Sequence, residues 1–195
     1  MNAIAVQVEA FGKAVAADRD FSMKVLVDKD ESAPEVTDMA PRFIGPMALS
    51  LLSVVNNRDT ILSCGQFPAS AGGPSQVAGL LADTPSFIMD NVKGVSELTM
   101  QVKARFTILD SVFFALGGVI VDDAFCGAFS LPPGDRLLCK QGGLVIGMPD
   151  VQSISDVKDD AIVVNNKTYP AVSIALPFSG VGVAPSLIIV ADTLR

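Results

Sequence analysis

The stretch LTMQVKARFTIL, residues 98–109, alternates without a break: Leu98, Met100, Val102, Ala104, Phe106 and Ile108 share one side of an extended chain. Gln101, Lys103, Arg105 and Thr107 fall on the other. Successive side chains of a strand point to opposite faces, so this pattern predicts a strand with one buried and one wet face. That division of faces is the signature of an antiparallel sheet.

Shorter patterns repeat the signal on both sides of it. Thr60–Phe67 reads as a strand, and Phe43–Val55 as a helix or buried strand stopped at Asn56-Asn57. Leu137–Cys139 and Leu144–Met148 flank Gln141-Gly142-Gly143, and Ala161–Val164 and Ala171–Leu176 flank Asn165-Asn166-Lys167. Both are hairpin patterns. A last strand, Ser186–Val190, follows, and Ser111–Val121 and Ala124–Leu131 are apolar runs. The acids agree with this reading, being 17 Asp and only 4 Glu. Asp favours turns and caps, whereas Glu favours helix interiors. The expected fold is mainly β, an antiparallel sandwich or jelly-roll-like barrel with a few short helices.

The N-terminal part differs. Ile4, Val8, Phe11 and Val15 recur at helical spacing within Asn2–Ala17, although Ile4, Val6 and Val8 also alternate. Phe21–Asp28 reads as a strand, and Lys29–Arg42, with two prolines and no periodic apolar face, as a linker. Residues 1–42 are therefore expected to form an N-terminal arm and linker, and residues 43–195 a single β-rich body. Ser75–Ala82 is expected to be a short helix capped by Ser75. No internal repeat is visible in the sequence.

Composition excludes several functions. The chain has 195 residues and no histidine, which removes the Ser-His-Asp triad, the Cys-His pair and imidazole metal ligands. Its net charge is −7, and no three basic residues adjoin; Lys103 and Arg105 are the closest pair. Direct nucleic-acid binding is not expected. Cys64, Cys126 and Cys139 form an odd set without C-x-x-C spacing, as reduced, buried thiols do. The start MNAIAVQVEA has no basic n-region, so no signal peptide is expected. Thr168–Ala191 is uncharged for 24 residues, but Pro170, Pro177 and Pro185 argue for strands rather than a membrane span.

No motif names a reaction. Asp28-Lys29-Asp30-Glu31-Ser32 begins like a calcium loop, yet Ala33 stands where glycine is needed and Met39 where glutamate is needed. Asp122-Asp123 and Asp159-Asp160 are adjacent carboxylates, better read as turn residues than as a metal or acid–base pair. Gly180-Val181-Gly182 lacks the third glycine of a dinucleotide fingerprint, and Ser70–Ser75 lacks the Gly-Lys-Ser/Thr ending of a phosphate loop. No catalytic, cofactor-binding or metal-ligating residue is nominated, no cofactor is expected, and the chain is expected not to be an enzyme.

Surface arithmetic supplies the positive expectation. Only 35 of 195 residues are charged, and Phe43–Asn57, Thr60–Ala82 and Thr168–Ala191 hold no charge over 62 positions. Charge-poor surface is characteristic of subunit interfaces. The main expectation is thus a structural, self-assembling homo-oligomer of many copies. By fold-level analogy it would be a viral protein of the virion, a capsid, decoration or tail component assembled in a host cytoplasm beside other virion proteins. The alternative is a small-molecule- or lipid-binding β-barrel, and the third reading a small hydrolase or isomerase using carboxylates.

Overall fold

A computed structural model of the chain describes residues 2–148, 150–151, 153–180 and 183–191. The chain divides into two compact units, Met1–Ile120 and Val121–Arg195. Each is built on one five-stranded antiparallel sheet, so the mainly β, antiparallel class with a few short helices is what the structure shows.

The first unit opens with helix α1 (Asn2–Ala17), whose Val8, Phe11 and Val15 are fully buried. Asp18 then caps α2 (Arg19–Ser22), its carboxylate accepting from the Phe21 amide at 2.8 Å. The backbone winds on through a π-helical turn, Met23–Asp28. The strand expected at Phe21–Asp28 is therefore helical. Phe21 and Val25, four apart, are buried, whereas Met23 and Val27, which a strand would bury, are exposed. Four-residue spacing won over a short alternation that fits either structure.

The expected linker at Lys29–Arg42 is also structured. Pro34 begins α3 (Pro34–Thr37), where its missing N–H costs nothing, and α4 (Met39–Ile44) follows. Val36, Met39 and Ala40 are buried, and the Ser63 hydroxyl donates to the Thr37 carbonyl and accepts from the Ala40 amide. Residues 1–42 thus supply core to the first unit, and the division of the chain falls after Ile120 instead of at residue 42.

The sheet of this unit comprises β1 (Leu51–Asn56), β2 (Ile61–Cys64), β3 (Ser86–Val92), β4 (Val95–Ile108) and β5 (Ser111–Ile120), in the order β2-β1-β5-β4-β3. Helix α1 lies on the β4–β5 face that carries Phe106, Ala115 and Gly117. A Cβ on Gly117 would stand 2.5 Å from the Val8 side chain, so the close approach of helix and strand requires glycine there.

The second unit contains α5 (Asp123–Gly127), β6 (Arg136–Gln141), β7 (Leu144–Ile146), β8 (Ala161–Val164), β9 (Lys167–Ala175) and β10 (Ser186–Val190). Both expected hairpins form, the second turning on Asn165 and Asn166 with φ of 48° and 65°. Its sheet order is β7-β6-β10-β9-β8. With strands counted within each unit, both sheets read second, first, fifth, fourth, third. The architecture is duplicated although the sequence shows no repeat. Leu138, Ile162, Val164, Ala171, Ile188 and Val190 form the core on one side of this sheet.

The uncharged run Thr168–Ala191 holds most of β9 and all of β10, and no helix among the described residues is long and apolar enough to cross a membrane.

Candidate functional site

Two rows of paired residues define the face of the first sheet turned away from α1. Register places Cys64, Ser53, Leu116 and Lys103 side by side across β2, β1, β5 and β4. The next row is Leu51, Gly118, Gln101 and Ser86. The wet face expected for β4 is wet only beyond Lys103. Thr99 and Gln101 are 0% and 2% exposed, and the connection from β2 to β3 packs on the same face, against Ile88 and Leu116.

That connection is held at several points. Val77, Ala78 and Leu81 pack with Val55, Ile88 and Leu116. The Lys103 ammonium donates to the Ala78 carbonyl at 2.7 Å and stands 5.2 Å from the centre of the Phe114 ring. The helix expected at Ser75–Ala82 stops at a turn: the Ser75 hydroxyl does accept from the Ala78 amide, at 3.2 Å, but no helix follows it.

Between connection and sheet lies a cavity of about 490 Å³. Its walls include Ser53 and Leu51 of β1, Cys64 of β2, Gln66 and Val77 of the connection, Asp90 of β3 and Gln101 of β4. Lys93 lies at its rim, on the β3–β4 turn where Lys93 and Gly94 both take positive φ. The volume suits a small organic molecule.

The polar groups of the wall are wired in one sense. Thr99 donates its hydroxyl proton to the Ile88 carbonyl at 3.0 Å. Its oxygen therefore accepts from Gln101 Nε2, at 2.9 Å. The other Nε2 proton goes to Asp90 Oδ2, at 2.7 Å. Gln101 Oε1 is left without a donor among the described residues, and so is the hydroxyl of Ser53, itself 8% exposed. Both residues line the cavity, where these oxygens are open to water or to a ligand.

The motifs read from sequence lie elsewhere. Asp30 accepts from the amide and hydroxyl of Ser32, which holds its carboxyl below the usual range. Asp122 caps α5 through the Phe125 amide, while Asp123 accepts from Gly147, so this pair divides into two structural roles. Asp159 and Asp160 sit in a turn with positive φ. No cluster of three potential metal ligands occurs among the described residues. Gly180 is described, but Val181 and Gly182 lie outside the described residues. Cys64, Cys126 and Cys139 are free, buried thiols.

Ser53, Gln66, Asp90 and Gln101 were not nominated from sequence. One signal was there to be read: the polar face of β4 is uncharged at Thr99 and Gln101, between the charged Glu97 and Lys103.

No family model matches the chain, and no curated protein matches it. Among solved structures, the fold is similar to the sensor domain of the histidine kinase DctB of V. cholerae, with a TM-score of 0.58 and 5% sequence identity over 97% of this chain and 90% of that one. It is also similar to the periplasmic domain of Vibrio cholerae LuxQ, with a TM-score of 0.54 and 14% identity over 98% of this chain and 91% of that one. At these identities the likeness is one of fold.

It overturns the virion expectation. The duplicated five-stranded fold is carried by a sensor domain and a periplasmic domain, not by a capsid, decoration or tail subunit, and neither a virion location nor virion partners stand. Part of the uncharged stretch Thr60–Ala82 lines a cleft on the first sheet. The expectation of a non-enzymatic chain agrees with a fold shared with the DctB sensor domain.

Proposed function

We propose that this chain is the ligand-binding part of an extracytoplasmic sensor, and that its first unit recognises a small molecule in the cavity between the sheet and the β2–β3 connection. The observation that carries the reading is the pair of bare polar atoms, Ser53 Oγ and Gln101 Oε1, on the wall of an organic-molecule-sized cavity. A ligand seated there can bond both, and such charge-assisted or neutral hydrogen bonds contribute about 0.5–3 kcal/mol each. The mixed lining favours a small polar molecule over a lipid tail, which could not use Gln101 Oε1, the second Asp90 oxygen or Gln66 Nε2.

Self-association is part of the proposal. Val172 and Ile174 are 57% and 52% exposed on β9, and apolar surface of this kind is typically covered in an oligomer.

Calorimetric titration of the chain with a small-molecule library tests the reading. A binder that also raises Tm, and whose binding disappears in a cavity-filling Ser53→Leu variant, is the expected result. Binding that survives Ser53→Leu unchanged would place the ligand elsewhere.

A further inference from the structure

We infer that the ligand of this cavity carries a primary ammonium group, held by Asp90 and the amide oxygen of Gln101. The inference rests on the reading of the cavity as the ligand site, and it follows from an inventory of protons on the wall.

A carboxylate accepts only, so Asp90 Oδ2 fixes which end of the Gln101 amide faces it. Thr99 has already given its single proton to Ile88 and can only accept. Both protons of Gln101 Nε2 are thereby committed, and the amide cannot be turned round without opposing Gln101 Oε1 to the Asp90 carboxylate. What this corner of the cavity still offers is acceptor capacity alone: Gln101 Oε1, the second carboxylate oxygen of Asp90, and a formal negative charge. The complementary group has several protons and a positive charge, which describes an ammonium with three donors on one nitrogen. The Ser53 hydroxyl, in the row beside Gln101, can accept the third proton.

The opposite chemistry is poorly served. A ligand with two or more negative charges would meet Asp90, and among the described residues the sole cation lining this cavity is Lys93, exposed at the rim. The donors that remain suit one acceptor group on the same ligand. Gln66 Oε1 is occupied by the Leu52 amide at 3.0 Å, which leaves its Nε2 free to donate.

The test is titration of the full chain with four probe classes: α-amino acids, linear diamines, monosaccharides and four-carbon dicarboxylates. Amine-bearing probes are expected to bind, and N-acetylation of the same probes to abolish binding. Asp90→Asn, which keeps the bond from Gln101 but removes the charge, should weaken amine binding roughly 10- to 100-fold. Gln101→Met should weaken it through the lost acceptor, and serves as the second variant if Asp90→Asn fails to fold. Binding of a saccharide or dicarboxylate that Ser53→Leu abolishes and Asp90→Asn leaves unchanged would overturn the ammonium assignment while keeping the cavity as the ligand site. Failure of every amine overturns the assignment, and failure of all four classes also removes the cavity's role.

Discussion

Lys103 and Ala78, 25 residues apart, are joined by a 2.7 Å hydrogen bond from the lysine ammonium to the alanine carbonyl. Lys103 is a cross-strand neighbour of Leu116, and Ala78 lies in the connection from β2 to β3. One side chain thus fastens the β2–β3 connection to the sheet beside the cavity.

Lys103→Met is expected to lower unfolding free energy by about 1–3 kcal/mol, since it leaves a carbonyl without its charged donor and removes a cation–π contact. Urea denaturation measures the loss. Amide hydrogen exchange should speed up in residues 75–82 before it does in β4 and β5, because a local opening then becomes easier. Uniform acceleration across the unit would show that Lys103 does not act as a local fastening.

The N-terminal segment behaves as core. Phe11 is fully buried and its ring lies 5.4 Å from that of Phe43. Phe11→Ala should cost about 3–5 kcal/mol. Deletion of residues 1–42 removes Val8, Phe11, Phe21 and Met39 together and should leave the first unit without fixed packing, seen as loss of its dispersed amide resonances. A well-dispersed spectrum from the deletion would mean that these residues are dispensable to the fold.

Gly117 and Val8 form a steric pair. Gly117→Ala places its methyl in the 2.5 Å space before Val8 Cγ2 and should destabilise by about 1–3 kcal/mol. Val8→Ala removes the obstructing methyls, so the double variant should be less destabilised than the sum of the two single ones. Additive costs would mean that the helix shifts away from the strand freely. Gly118→Ala should be worse, because its Cβ would meet the Met100 carbonyl at 2.1 Å and a backbone cannot rotate away.

The thiols of the second unit set an alkaline limit. Burial, with the neighbouring Cys126 thiol, pushes Cys139 up to about 12, and burial beside Asp123 also raises Cys126. An unfolded thiol ionises near about 8.5, so above that value the unfolded chain sheds a proton that the folded chain keeps. The stabilising contribution is complete below about 8.5 and is lost as pH rises towards 12. Cys139→Ala should flatten the fall in stability between those values, whatever it costs at neutral pH. In the native protein at pH 8, Cys139 should resist alkylation, and all three thiols should react in denaturant.

How much of this was legible can be judged at β4. The alternation from Leu98 to Ile108 reports one apolar face, and that face is buried against α1 because hydrophobic periodicity is a local property of the chain. Helix α1 and the two hairpins of the second unit were legible for the same reason. The strand reading of Phe21–Asp28 failed because these eight residues carry both periods, and only contact with the core decides between them.

The cavity could not be read at all. Whether Thr99 and Gln101 are wet or buried depends on what packs on that face of the sheet, which the local sequence does not state. Polar side chains read alike in water and on a cavity wall. Alternation along the chain determined by itself that β4 is a strand with an apolar face. Only the tertiary structure decided that its polar face lines a cavity, because the cavity's walls come from segments distant in sequence, and that the same sheet order is built twice. Strand order is set by which apolar faces are buried together, and many different sequences satisfy that requirement equally well.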